Sequence, residues 1–134
     1  VVLIYRHPGP LQLTFPAHVS QLAPTRSALR SWLARAEVPT DESMDVLIAV
    51  GEAVANAIEH GHRNAPDGVI SMDATAVGDL LHVTITDTGE WKTPQPEANS
   101  TRGRGVPLMR GLMHDVTIDP GAAGTTVQLT ARIA

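Results

Sequence analysis

Cysteine is absent from this chain of 134 residues. That excludes disulfides, iron–sulfur clusters and thiolate zinc sites, and it fits a reducing cytosol. Aromatic residues are nearly absent: Trp32, Trp91, Tyr5 and Phe15 are the whole set. A core therefore has to be assembled from Ala, Val, Leu and Ile. Hydrophobic residues at 43% suffice for that, and 18% charged residues are too few for a disordered chain. Positive charge is in deficit, with 10 Lys and Arg against 14 Asp and Glu, a net charge of −4. With no basic block either, direct nucleic-acid binding is not expected. No apolar run approaches the ~20 residues that span a bilayer, and no signal peptide is visible. A cytoplasmic protein without membrane contact is expected. The length suits one domain with one core. The chain opens Val1-Val2-Leu3 with no methionine, which leads us to expect a piece of something longer.

What is present centres on one stretch, Gly51-Glu52-Ala53-Val54-Ala55-Asn56-Ala57-Ile58-Glu59-His60-Gly61. Met44, Leu47, Ile48, Gly51, Val54, Ala55 and Ile58 recur at spacings of three and four, which predicts a helix with that stripe facing the core. Glu52, Asn56 and His60 repeat every four residues, so they stack turn above turn in a polar row. Between the two lie Ala49, Ala53 and Ala57, small enough for a ligand to approach the helix backbone.

The remaining elements follow in order. Val1–Tyr5 reads as a short apolar strand closed by Arg6-His7-Pro8-Gly9-Pro10, a turn or linker. Leu11–Phe15 is a strand of period two ended by Pro16. From about Ser20 to Glu37 the pattern is helical, with Leu22, Leu29, Trp32, Leu33 and Ala36 inward and Arg26, Arg30 and Arg35 outward. After Val38-Pro39, Thr40 or Asp41 is a suitable N-cap for the central helix, and Gly61 a suitable C-terminal stop. Asn64 to Gly68 is turn chemistry. Val69–Ala76 and Leu80–Asp87 form a hairpin through Val77-Gly78-Asp79. Thr88 to Arg104 is a functional loop, Val106–Met113 a short helix with Pro107 in its first turn. Val116–Ile118 and Thr125–Ile133 are strands around Asp119-Pro120-Gly121. Helices early and strands late predict an α+β fold, a mixed, mostly antiparallel sheet with helices on one face. Residues 1–10 read as a linker or the last strand of a preceding domain, residues 11–134 as the main domain.

Each motif has a plain alternative. The Glu52/Asn56 pair suits Mg²⁺ held jointly with phosphates, with a carboxylate one turn away to accept a proton; it is also what a solvent-facing stripe looks like. The alanines beside it and the motifs that follow favour the first reading. Asp87-Thr88-Gly89 at a strand end can receive an exocyclic amine such as that of adenine, though strand–Asp–Gly turns are common. Gly103-x-Gly105 before a helix offers free amides and a helix dipole to an anion. It does not follow a strand, so it is not the dinucleotide fingerprint, and no P-loop is present. His60 and His62 with Glu59 lack a third strong ligand at zinc spacing. No nucleophile elbow occurs. Trp32, Met109 and Met113 read as core.

Taken together and in order, these pieces resemble the GHKL (Bergerat-fold) ATP-binding superfamily, over Leu11–Ala134. Glu52-Ala-x-x-Asn56-Ala-x-x-His60-Gly61 resembles its N box and Asp87-x-Gly89 its first glycine box. Gly103-x-Gly105-x-x-Leu108-Met109 resembles the second glycine box, and Gly124-Thr125-Thr126-Val127 the closing threonine motif. The resemblance implies a two-layer α/β sandwich for this histidine-kinase-like domain, binding ATP and Mg²⁺. Within the superfamily the size points to RsbW-like serine kinases that act as anti-sigma factors. In that likeness Glu52 is the general base for a protein serine, Asn56 holds Mg²⁺, and Asp87 with Thr126 reads adenine. His60, Gly61, Gly89, Gly103, Arg104, Gly105, Val106 and Leu108 complete the nucleotide site, and Arg26 matches a partner-contacting arginine. The implied partners are a sigma factor and a STAS-domain antagonist phosphorylated on serine; family members often form homodimers. Trp91 stands where the first glycine box usually has a second glycine. Val1–His7 resembles the last strand of a PP2C-type phosphatase. A catalytically silent nucleotide-binding module that sequesters a partner is the alternative reading, and a plain ATPase a further one.

Overall fold

The computed structural model describes residues 9–64, 68–87, 105–121 and 124–133, with 60–64, 105 and 121 described by their backbone. In chain order the elements are β1 (Leu11–Pro16), a 3-10 turn (Val19–Gln21), α1 (Leu22–Arg35), α2 (Thr40–Asn64), β2 (Val69–Val77), β3 (Leu80–Asp87), α3 (Gly105–Leu112), β4 (Asp115–Gly121) and β5 (Gly124–Arg132). The strands make one open sheet in the order β1-β2-β3-β5-β4. Every pairing among the described strands is antiparallel, so the expected mixed, mostly antiparallel sheet is antiparallel throughout them. The reason is connectivity: β2–β3 and β4–β5 are hairpins, α1 and α2 bring the chain from β1 back as β2 in reverse, and β4 runs in the same direction as β3, so that β5 returns antiparallel between them.

The three helices cover one face of this sheet, the α+β arrangement in two layers. Alternation along the strands sorts the side chains. Leu13 pairs with Met72, Met72 with Ile85, Ile85 with Val127 and Val127 with Ile118, an apolar row crossing all five strands beneath the helices. One residue along, Thr14, Ser71, Thr86, Thr126 and Asp119 form a polar row on the uncovered face. Trp32, Leu29, Leu33, Ile70, Met72, Leu81, Ile85, Met109 and Leu129 are the largest buried side chains. Trp32 also donates from Nε1 to the Gly9 carbonyl at 2.8 Å, tying the segment before β1 to α1.

Two turns depart from the expected chemistry. α1 ends with the Val38 N–H donating to the Leu33 carbonyl and the Glu37 N–H to the Ala34 carbonyl, each at 3.1 Å. This is the paired bonding of a Schellman cap, and buried Val38 and Leu33 supply its apolar contact. The left-handed position is occupied by Glu37, at φ 57, where glycine is usual. α2 then begins at Thr40, and the Pro39 carbonyl, not a Thr40 or Asp41 side chain, accepts the Ser43 N–H at 2.8 Å.

The central helix differs most from its sequence reading. It continues through Gly61 to Asn64, and its buried face only partly coincides with the expected stripe: Leu47, Val54 and Ile58 are buried as expected. Met44 and Ile48 are 48% and 38% exposed, whereas Val46, Ala49, Val50, Ala53 and Ala57 are buried. The expected stripe left out Ala49, Ala53 and Ala57, which are buried and let α2 lie close against the sheet. Leu47, Val50 and Val54 border α1, and Ile58 lies near its first residue, Leu22. At the C-terminal hairpin, Asp119-Pro120-Gly121 is the end of β4 rather than a turn. Among the described residues no helix is long and apolar enough to cross a membrane. The expected strand Val1–Tyr5, the resemblance at Val1–His7 and the whole Thr88–Arg104 loop lie outside the described residues.

Candidate functional site: a nucleotide cavity between α2, α3 and the sheet

Asp87 ends β3 and Thr125 is the second residue of β5, and the register sets them opposite each other. Both are buried, at 3% and 2% exposed. The Thr125 N–H donates to Asp87 Oδ1 at 3.4 Å, a long bond that holds the carboxylate toward the helical layer. The Thr125 hydroxyl is buried and finds no hydrogen-bond partner among the described residues. Leaving such a group unmade costs about 1–3 kcal/mol, so the arrangement is the kind a ligand completes.

Above this pair lies a cavity lined by Ala53, Asn56 and Ala57 of α2, Val106 and Met109 of α3, Ile118 of β4 and Val127 of β5. Its enclosed part is about 20 Å³, room for a single water. A flat ring placed over Asp87 therefore has to part α3 from the two alanines. α3 is short, eight residues long, and its N-terminus at Gly105 presents backbone amides of the kind that bind phosphate. Glu52 is one turn before Asn56 on α2 and half-buried, as Asn56 is. Acceptor pair, apolar slot, carboxamide, carboxylate and helix N-terminus fit a purine nucleotide better than any metal cluster or hydrolase triad.

The sequence-predicted site residues divide into three groups. Asn56, Asp87 and Val106 line the one cavity, and Glu52 adjoins it on α2. Leu108 is 42% exposed on the outer side of α3, away from the cavity, and Thr126 sits on the uncovered sheet face opposite Thr86. Its neighbour Thr125 holds the cavity position instead. The strand's own alternation carried that signal, since Thr125 shares parity with Val127 and Leu129. Arg26 is exposed on α1 and borders a crevice with Gly51 and Val54 of α2, apart from the nucleotide cavity. Gly61 and Gly105 lie within α2 and at the start of α3; the His60 side chain, Gly89, Trp91, Gly103 and Arg104 lie outside the described residues. Met109 and Met113 are buried core residues, as expected.

A helix carrying Glu and Asn over an antiparallel sheet whose strand ends supply Asp and Thr defines a class. The chain belongs to the histidine kinase-like ATPase domain family, whose model matches residues 15–131, and it is a nucleotide-binding domain of that kind. Within the family it is similar to bacterial anti-sigma factors. The anti-sigma F factor of Geobacillus stearothermophilus is 30% identical over 89% of each chain, and that of Bacillus velezensis 31% over 92% of each. The crystal structure of the RsbU and RsbW domains of a Mycobacterium tuberculosis protein superposes with a TM-score of 0.77 at 29% identity. It matches 94% of this chain, which spans about a third of that longer one (32%).

Proposed function

We propose that the protein is an ATP- and Mg²⁺-dependent serine kinase of the anti-sigma type, which binds a sigma factor and phosphorylates a serine of a STAS-domain antagonist. The observation that carries this reading is the joint placement of Asn56, Asp87 and Thr125 on one cavity with Glu52 one turn away. The named anti-sigma relatives support the choice of a sigma factor as partner, and the match to an RsbW domain supports the resemblance from which the acceptor is taken.

When bound, ATP supplies the phosphoryl group and Mg²⁺ neutralises charge on its oxygens, so the protein contributes mainly position and electrostatics. Asp87 accepts from the exocyclic amine of the base, and the Thr125 hydroxyl gains its missing partner at the ring edge. Asn56 offers Mg²⁺ a neutral oxygen. The N-terminal amides of α3 face the phosphates. Glu52 takes the proton from the attacking serine hydroxyl. Arg26 contacts the protein partner from α1.

The test is incubation with γ-labelled ATP and a panel of STAS-domain antagonists. Label on a serine is expected. Tight ATP binding with no label on any antagonist would leave a silent sequestering module, which Trp91 in the first glycine box keeps in contention. Free phosphate without labelled protein would indicate a plain ATPase.

A further inference from the structure

The flank of α2 that turns away from the sheet carries apolar surface the fold leaves uncovered. Met44, Ile48, Gly51 and Ala55 follow one another at spacings of four, three and four, a single helical stripe. Met44 is 48% and Ile48 38% exposed, and a Cβ built on Gly51 would meet nothing within 4 Å. At Ala55 the stripe opens into a crevice of about 530 Å³ between α2 and the start of α1, walled by Val19, Leu22 and Ile58. Val19 is 65% exposed. Arg26 borders Gly51 from the α1 side, and Arg30, one turn on, is exposed as well.

Glu52 forms the boundary between this stripe and the nucleotide cavity. Four residues before it is Ile48 and three after it is Ala55, whereas Ala53, Asn56 and Ala57 turn to the cavity. The kinase reading fixes what must happen at that boundary. The serine oxygen bonds to the γ-phosphorus as the bond from that phosphorus to the bridging oxygen breaks. The bridging oxygen keeps the electron pair and leaves with ADP, and the hydroxyl proton passes to the Glu52 carboxylate. Attacking and leaving oxygens are roughly in line, and Glu52 must stand about 2.6–3.2 Å from the hydroxyl. With nucleotide on the Asn56 side, the backbone carrying the serine has to continue along the other side of Glu52.

We propose that the Met44–Ile48–Ala55 stripe and its crevice seat the acceptor protein beside its phosphorylated serine. The occupant presents apolar side chains to the stripe and an acidic residue to Arg26 and Arg30, whose positive charge stands out on a chain of net charge −4. This rests on the kinase reading of Glu52 and adds the specificity surface for the same site.

The test uses the full chain carrying Ile48→Asp or, separately, Met44→Lys. Both positions are exposed, so unfolding midpoint and ATP affinity report on folding and on the nucleotide cavity. With γ-labelled ATP and the STAS-domain antagonist that the wild-type chain labels, each variant should raise KM for the antagonist about tenfold or more at nearly unchanged kcat, the signature of lost uniform binding. Wild-type KM in both variants overturns the docking assignment and leaves the kinase standing. Failure of the wild-type chain to label any antagonist overturns the kinase reading and this assignment with it. If Ile48→Asp instead dissociates a dimer at unchanged KM, the stripe belongs to a second copy and the proposal falls.

Discussion

Thr125 isolates what one oxygen contributes to the site. Its hydroxyl is buried with no partner among the described residues while its N–H holds Asp87, so Thr125→Val removes the lone group and keeps the backbone bond. Stability should be unchanged or slightly higher, because an unmade buried hydrogen bond disappears. ATP affinity should fall about tenfold, the worth of one hydrogen bond at ~1.4 kcal/mol. Thr126→Val, on the opposite face, should leave affinity alone; calorimetric titration of both variants decides between the two threonines. On α2, Asn56→Ala should abolish Mg²⁺-ATP binding. Glu52→Ala should keep binding and slow transfer ~10²–10⁴-fold, the usual range for a general base. Equal affinity and rate in Asn56→Ala would remove the site from this helix. The Glu/Asn spacing was legible from sequence because helical period alone puts the two in one row. Thr125 was not legible in the same way, since a Thr-Thr pair reads alike from either member until Val127 and Leu129 fix the parity.

At the scale of elements, α1 closes on a left-handed glutamate and α2 carries a glycine in mid-helix, and both are open to improvement. Glu37→Gly keeps the Schellman bonds and relieves the strained backbone, which should raise stability by about 1 kcal/mol in chemical denaturation. Gly51→Ala adds a methyl group that meets nothing within 4 Å and should gain a similar amount, about 0.5–1 kcal/mol from helix propensity. A loss at Gly51 would mean that the open space is filled in solution. The α1 pattern could be read correctly because that helix has one buried side, with Leu29, Trp32, Leu33 and Ala36 inward. α2 has two buried sides, one against α1 and one against the sheet. Its alanines serve the second, so the expected stripe caught Leu47, Val54 and Ile58, left out Ala49, Ala53 and Ala57, and sent Met44 and Ile48 inward. The hairpin ends moved for a related reason: Asp119-Pro120-Gly121 is turn chemistry in isolation, but pairing with β5 carries the strand on to Gly121.

For the whole molecule, nucleotide binding joins α2, α3 and the ends of β3 and β5 that line the cavity. A ligand at 100 times its Kd stabilises by about 2.7 kcal/mol, which for a domain of this size raises Tm by roughly 10 °C. Thermal scans with and without Mg²⁺-ATP should show that shift, and Asn56→Ala should lose it. The open sheet has a further consequence at its two margins. β4 sets Asp115, Asp119 and Pro120 along one edge, so two such edges brought together would face charge with like charge and meet a residue with no N–H to give. β1 at the other edge has no charged residue. That margin also ends on a proline, Pro16, but it lacks the carboxylates that guard β4. The charge on β4 therefore gives the open sheet a direction: a strand added to it meets negative charge at one margin and none at the other.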